Sequence, residues 1–170
     1  MFCAKPERLL LLGLSLGLSQ PLRAAPPPPT VLPQYLPITA RMQVGAQTIG
    51  LEVASTPQQQ ERGLMARPPL APNRGMIFLF QPARPVQFWM WQTPAPLDML
   101  FLRQGQVKAI FAAVPPCFTQ PCPTYGPALQ SIDAVVELRA GRAKELGLKP
   151  GDRLLLEPIP PISPGAAPTR

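Results

Sequence analysis

The 170-residue chain contains no histidine. That absence excludes a Ser-His-Asp or Cys-His nucleophile, a histidine general base and any zinc site that needs imidazole. Cysteine is scarce, at 3 residues, and aromatics make up only 6%. The apolar run at 9–18 is ten residues of Leu, Gly and Ser; a bilayer-spanning helix needs roughly 18–20. Lysines and arginines do not cluster beyond the first residues. Arginine is spread singly from Arg41 to Arg153, so the formal charge of +7 reads as a mildly basic surface and not as a nucleic-acid patch. No internal repeat is present.

What is abundant is proline, 27 of 170 residues, about 16% against a usual ~5%. The prolines cluster at the ends of a globular middle. Residues 1–24 have the layout of a secretory signal: basic Lys5 and Arg8, the apolar run, a polar stretch at 19–23, then Ala24 and Ala25. Cys3 precedes the apolar run and would leave with it. The protein is therefore expected to be exported, periplasmic or extracellular, with no stable transmembrane span after cleavage. Residues 25–37 form a Pro-rich linker biased to polyproline II, and 158–170 form a disordered tail of the same character. Between them, 38–157 is long enough for one core.

Alternation and turn residues outline that domain. Ile38–Val44 and Gln47–Ala54 read as a hairpin turning at Gly45-Ala46. Thr56-Pro57 starts a short helix over 57–65, which Pro68-Pro69 prevents from continuing. Segments 75–80 and 86–90 read as strands. Leu97–Arg103 and Gln106–Val114 form a second hairpin on the two-residue turn Gln104-Gly105. Ile132–Arg139 alternates, 142–146 is a helix of one or two turns, and 152–157 closes as a strand. The expected class is α+β and β-rich: a rolled or barrel-like, mostly antiparallel sheet of about seven strands with two short helices.

The second hairpin places Asp98. With Arg103 opposite Gln106, Leu102 faces Val107, Leu100 faces Ala109 and Asp98 faces Phe111, all on one side of the sheet. Asp98 is thus expected in the interior, where a lone carboxylate costs several kcal/mol unless donors reach it. Arg62, Arg67, Thr93 and free backbone amides are the candidates. Asp98 is either a lock between strand and helix or an interior group poised for ligand capture or acid–base work.

Other residues carry weaker signals. Arg62 and Arg67 flank the end of the first helix and could cradle an anion, or be solvated singly. Trp89 and Trp91 are two apart, a stacking platform if they share an exposed face and core aromatics if they do not; Trp89 is the one expected in the core. Met65, Met76, Met90 and Met99 are scattered core fillers, not a soft-metal site. Cys117 and Cys122 sit in a Pro-rich loop that ends at Tyr125. In an exported protein such a pair reads as a disulfide; four intervening residues do not suit a thioredoxin-type pair.

Six islands occur in order: Arg62-Gly-Leu-Met65 with Arg67, Gly75-Met-Ile-Phe78, Phe88-Trp-Met90 with Thr93, Pro96-Leu-Asp98 with Phe101, Val136-Glu-Leu138 with Ala140-Gly141, and Gly151-Asp152. Together they resemble the domain-of-unknown-function 192 (DUF192) family, also called uncharacterised protein family 0127. The resemblance implies a single small β-rich domain, often exported or membrane-tethered, and no defined reaction. The sequence departs from the family pattern at Trp91 and Gln92, where members usually carry Lys-Asn. A catalytic amine there would be absent, and only hydrogen bonding by Gln92 would survive.

The resulting expectation is a non-catalytic binding or accessory domain without cofactor or metal. Its site would lie where the Arg62/Arg67 helix end, the segment Trp89, Trp91, Gln92 and Thr93, and Asp98 converge, with Tyr125 nearby. The alternatives are a carboxylate-based hydrolase or lyase using Asp98 with an arginine, and a structural or assembly factor. The partner would be a small molecule or an envelope protein, not nucleic acid, and the chain a monomer.

Overall fold

Local signals act as expected at the start of the domain. The computed structural model describes residues 31–159. The expected signal at 1–24, the first part of the expected linker at 25–37 and nearly all of the expected tail at 158–170 lie outside the described residues. β1 (Ile38–Val44) and β2 (Gln47–Ala54) turn at Gly45, whose φ of +56° favours a residue without Cβ. Thr56 caps α1 (Pro57–Arg62) in a reciprocal box: its hydroxyl accepts from the Gln59 N–H, and the Gln59 side chain accepts from the Thr56 N–H. The helix is shorter than the expected 57–65, because Gly63 takes a φ of +44° and the chain turns.

The remaining elements are β3 (Arg74–Arg84), β4 (Phe88–Trp89), β5 (Leu97–Arg103), β6 (Gln106–Val114), β7 (Thr124–Tyr125), β8 (Ile132–Arg139), α2 (Arg142–Glu145) and β9 (Leu155–Pro158). Seven strands form one sheet in the order β6-β5-β8-β3-β2-β1-β9, with β2–β3 its single parallel pair. β4 and β7 make a separate two-stranded sheet. The main sheet is rolled without closing into a barrel. Its far ends are joined through the chain ahead of β9: Gly151 N–H donates to the Val107 carbonyl, Val107 N–H to Asp152 and Leu154 N–H to Gly105. The fold is therefore a β-rich α+β domain with a rolled, mostly antiparallel sheet and two short helices.

Each face of the sheet has its own core. The enclosed face gathers Ile49, Leu51, Ile77, Leu100, Val136 and Leu138, with Ala143 of α2 and Leu154 against them. The other face carries Met76, Phe78, Met90, Met99, Phe101 and Val135 under the connecting loops. Phe88 stands edge-on to Phe78, Phe80 and Phe101 there. The four methionines at 65, 76, 90 and 99 are all buried, the last three of them within the outer core.

The β5–β6 register departs from simple alternation. Leu102 pairs with Val107 and Arg103 with Gln106, but Phe101 pairs with Ala109, Leu100 with Ile110 and Met99 with Phe111. Lys108 is an extra residue in β6, and one inserted residue flips every side chain beyond it. Phe111 and Ala109 therefore pack on the face opposite to Asp98, and the expected Asp98–Phe111 pairing does not occur. A second irregularity lies between the Met99 and Leu97 pairs, where Ala113 adopts a φ of +50°.

Asp98 is fully buried on the enclosed face, and its partners are all backbone amides. Oδ1 accepts from Ala113 (2.8 Å) and Gly141 (3.1 Å), and Oδ2 from Ala143 (2.8 Å). One carboxylate thus holds the second β6 irregularity and supplies the cap that Gly141 cannot give to α2. Neither Arg62 nor Arg67 bonds to it; Arg67 pairs with Glu52 and Arg62 with the Leu32 carbonyl. Within 31–37, Gln34 donates to the carbonyls of Gln59 and Gly63, and Leu36 packs on the outer core.

Replacing Asp98 by Asn keeps its size but turns an amide donor toward backbone donors. Urea unfolding is expected to show a loss of about 2–4 kcal/mol for Asp98→Asn, and at least as much for Asp98→Ala. A loss below about 1 kcal/mol for both would contradict the locking role.

Candidate functional site

Register brings two carboxylates onto the outer face in one row. Glu52 of β2 neighbours Met76 of β3, Met76 neighbours Glu137 of β8, Glu137 neighbours Met99 of β5, and Met99 neighbours Phe111 of β6. Directly opposed residues share a face. Asp98 pairs with Leu138, one residue on, and so faces the other way.

The two glutamates meet opposite fates. Glu52 accepts from Arg67 Nη1 at 2.8 Å and from the Leu36 N–H at 2.8 Å. Arg67 also donates to the Gln34 carbonyl and stacks 4.3 Å over the Tyr35 ring. Glu137 is only 4% exposed, and no described residue hydrogen-bonds to its carboxylate or pairs with it. Burial without compensation pushes its pKa up to about 8.

Glu137 lies in a pit of about 30 Å³, walled by Gly63, Leu64, Phe88, Trp89, Trp91 and Thr93, with Glu61 and Arg62 on the α1 side. The pit adjoins two open clefts. One, of about 580 Å³, runs between α1, Arg62 and the two tryptophans and has Val31 at its lip. The other, of about 420 Å³, lies on the far side of Trp89 against Phe80 and Arg84. Trp89 borders all three.

Backbone bonds hold these walls. Gln92, at a φ of +51°, donates its N–H to the Cys117 carbonyl and accepts from the Ala66 N–H, so it ties the turn after α1 to the cysteine loop. Cys117 N–H returns to the Met90 carbonyl, and Trp91 bridges Cys117. Cys117 and Cys122 are joined by a disulfide. In the chain-entropy view a six-residue ring contributes only about 2 kcal/mol, so its role here is to stiffen the loop behind Trp91.

Of the candidates read from sequence, Arg62, Trp89, Trp91 and Thr93 come together around the pit. Trp89 is 43% exposed, against the expectation that it would sit in the core; Phe88 occupies that place instead. Trp91 is half-buried. Gln92 acts through its backbone. Arg67 is engaged by Glu52, Tyr125 packs edge-on to Phe111 in the small sheet, and Asp98 lies across the main sheet. Sequence reading missed Glu137 as a site residue. Its signal was the run Ala134-Val-Val-Glu-Leu138, apolar on both alternating faces, which marks a strand covered on both sides.

The DUF192 family model, described as an uncharacterized ACR, matches residues 38–156. A solved structure from Sinorhizobium meliloti 1021, described as a "putative transcription regulator", is 36% identical with a TM-score of 0.60; the match covers 70% of this chain and 91% of that one. A protein of unknown function from Novosphingobium aromaticivorans DSM 12444 is 33% identical with a TM-score of 0.61, over 69% of this chain and 83% of that one. No curated protein matches the chain.

The raised pKa of Glu137 makes a signed prediction. With a folded value near 8 and an ordinary value of 4.5 in the unfolded chain, the native state holds the extra proton between those limits. Stability should therefore fall as pH rises through that window, by on the order of a few kcal/mol. Glu137→Gln should remove most of that slope and be the more stable protein at pH 9. Urea midpoints at pH 5, 7 and 9 check this, and equal slopes for both proteins would contradict it.

Proposed function

Since the chain belongs to the DUF192 family, whose description carries no reaction, we propose a function from the site alone: a non-catalytic small-ligand binding domain whose site is the tryptophan-lined cleft over Glu137. One observation carries this reading. A buried carboxyl without a partner is costly in a core that an apolar residue would fill better, and this one opens toward a cleft with aromatic walls. A polar group at the floor of an apolar pocket is the usual make-up of a ligand site.

Catalysis has less support. The chain has no histidine, Glu52 is neutralised by Arg67, and Asp98 faces away from the cleft behind three amide bonds. A hydrolase or lyase built on Asp98 and an arginine has no place to work. The regulator description of the Sinorhizobium protein does not carry over well either. The helices among the described residues span six and four residues, too short to read a major groove in the manner of a recognition helix. The reading includes export to the periplasm or beyond, on the strength of the 1–24 pattern and the disulfide, and a monomer with a small-molecule ligand.

Native mass spectrometry of the purified protein is the direct test. A co-purifying ligand mass is expected on the wild type and lost from Trp89→Ala. Because Trp89 is substantially exposed, that variant should keep its unfolding free energy within about 1 kcal/mol. If the wild type carries no ligand and its tryptophan fluorescence answers no compound in a small-molecule panel, the binding reading fails.

A further inference from the structure

We infer that the Glu137 pit receives the ammonium group of a primary amine, with the amine's carbon chain lying in the cleft beside Trp89 and Trp91. This deepens the binding reading and rests on it. The argument comes from which hydrogen-bonding groups around the pit are already used. Arg62 Nη1 donates to the Leu32 carbonyl. Gln60 Nε2 donates to the Leu79 and Ala54 carbonyls, leaving its Oε1 as an acceptor. Thr93 Oγ1 donates to the Trp91 carbonyl and keeps its lone pairs. Glu137 and, at the rim, Glu61 add two carboxylates that no described residue bonds. Arg62 keeps its other N–H groups and the two indoles theirs, but the acceptors on Gln60, Thr93, Glu61 and Glu137 are left without a donor among the described residues, and an ammonium is a compact donor of three hydrogen bonds.

Size and π-surface point the same way. About 30 Å³ has room for one or two water-sized groups, which admits –NH3⁺ and excludes a quaternary ammonium. Elsewhere on the chain Arg67 stacks on Tyr35 and Arg84 on Phe80; no described cation covers the faces of Trp89 or Trp91, the residues best suited to one. The charged groups facing Glu137 are Glu61 and Arg62 from α1; Glu52 and Arg67, on the same sheet face, are paired with each other. β3 and β5 present Met76 and Met99 to it.

Binding exchanges a proton for a cation. The neutral Glu137 carboxyl releases its proton to solvent, and the carboxylate so formed pairs with the ammonium, leaving the pit neutral overall. Amine affinity should then rise about tenfold per pH unit below pH 8 and level above it, until the amine itself deprotonates near pH 10.

The test titrates the full chain with n-butylammonium chloride, followed by tryptophan fluorescence and calorimetry, at pH 6.5, 8 and 9. 1-Butanol, butyrate and tetramethylammonium are the controls. The expected result is binding of butylammonium alone, release of about one proton per amine at pH 6.5 and almost none at pH 9. Glu137→Gln should weaken the amine at least tenfold at pH 9 and abolish the pH dependence. A circular dichroism spectrum matching the wild type would show that this variant is folded. Equal binding of 1-butanol and butylammonium, or an affinity unmoved by Glu137→Gln, overturns the ammonium assignment while leaving the cleft a binding site. Failure of butylammonium to bind at any pH also overturns it, and a ligand mass lost from Trp89→Ala would then still uphold the cleft.

Discussion

The structure turns on β8 being covered on both faces. It lies between β3 and β5, with one apolar core on the enclosed side and another outside. Water cannot solvate a polar side chain on such a strand, or on the neighbouring strand beside it, so each must find protein partners or remain a cost. Two carboxylates occupy adjacent rows at this centre, Asp98 on β5 and Glu137 on β8, and they point to opposite faces. Their different treatment separates the structural part of the molecule from the candidate functional part.

Asp98 is fully satisfied by amides from segments far apart in sequence, at 113, 141 and 143. It stabilises the positive-φ conformation of Ala113, which costs on the order of 1–3 kcal/mol in a non-glycine residue, and fixes the start of α2. Ala143 then seals the enclosed core, and the chain beyond reaches Gly105 and Val107 to join the ends of the roll. Charge here is compensated locally and serves geometry. Glu52 is a second instance, settled by one guanidinium and one amide.

Strand positions were legible because alternation and turn residues are local: both hairpins were readable from Gly45 and Gln104-Gly105. Long-range register was less so. The Lys108 insertion carries no mark in sequence, since Lys108 alternates with Val107 and Ala109 as an ordinary edge residue would, and it alone reversed the faces of Ala109 and Phe111. β7 is two residues in a Pro-rich loop and has no periodicity to read. The site was half legible. Trp89, Trp91, Thr93 and Arg62 stand out by type, but Arg67 looked available until its partner on β2 was known. Asp98 looked like a site residue because burial of a carboxylate can be inferred from alternation, whereas the amides that satisfy it belong to segments that only the tertiary fold brings together.

Glu137 poses the converse problem. Its strand pattern reveals burial, and only the surroundings reveal that no described residue answers it. A glutamine there would keep the shape without the charge, and a leucine would extend the outer core between Met76 and Met99. Either would relieve the desolvation that holds the carboxyl neutral near pH 7. The cost is confined to one row position, while Glu52, two strands away on the same face, is relieved by Arg67. The fold therefore has the means to neutralise a carboxylate on this face and does so at one position only. At the other it sets the carboxyl in a small cavity, walls it with tryptophans and leaves the approach open from the α1 side. A carboxyl that no described residue pairs, with a route to it left open, is the physical feature on which the proposed binding reading rests.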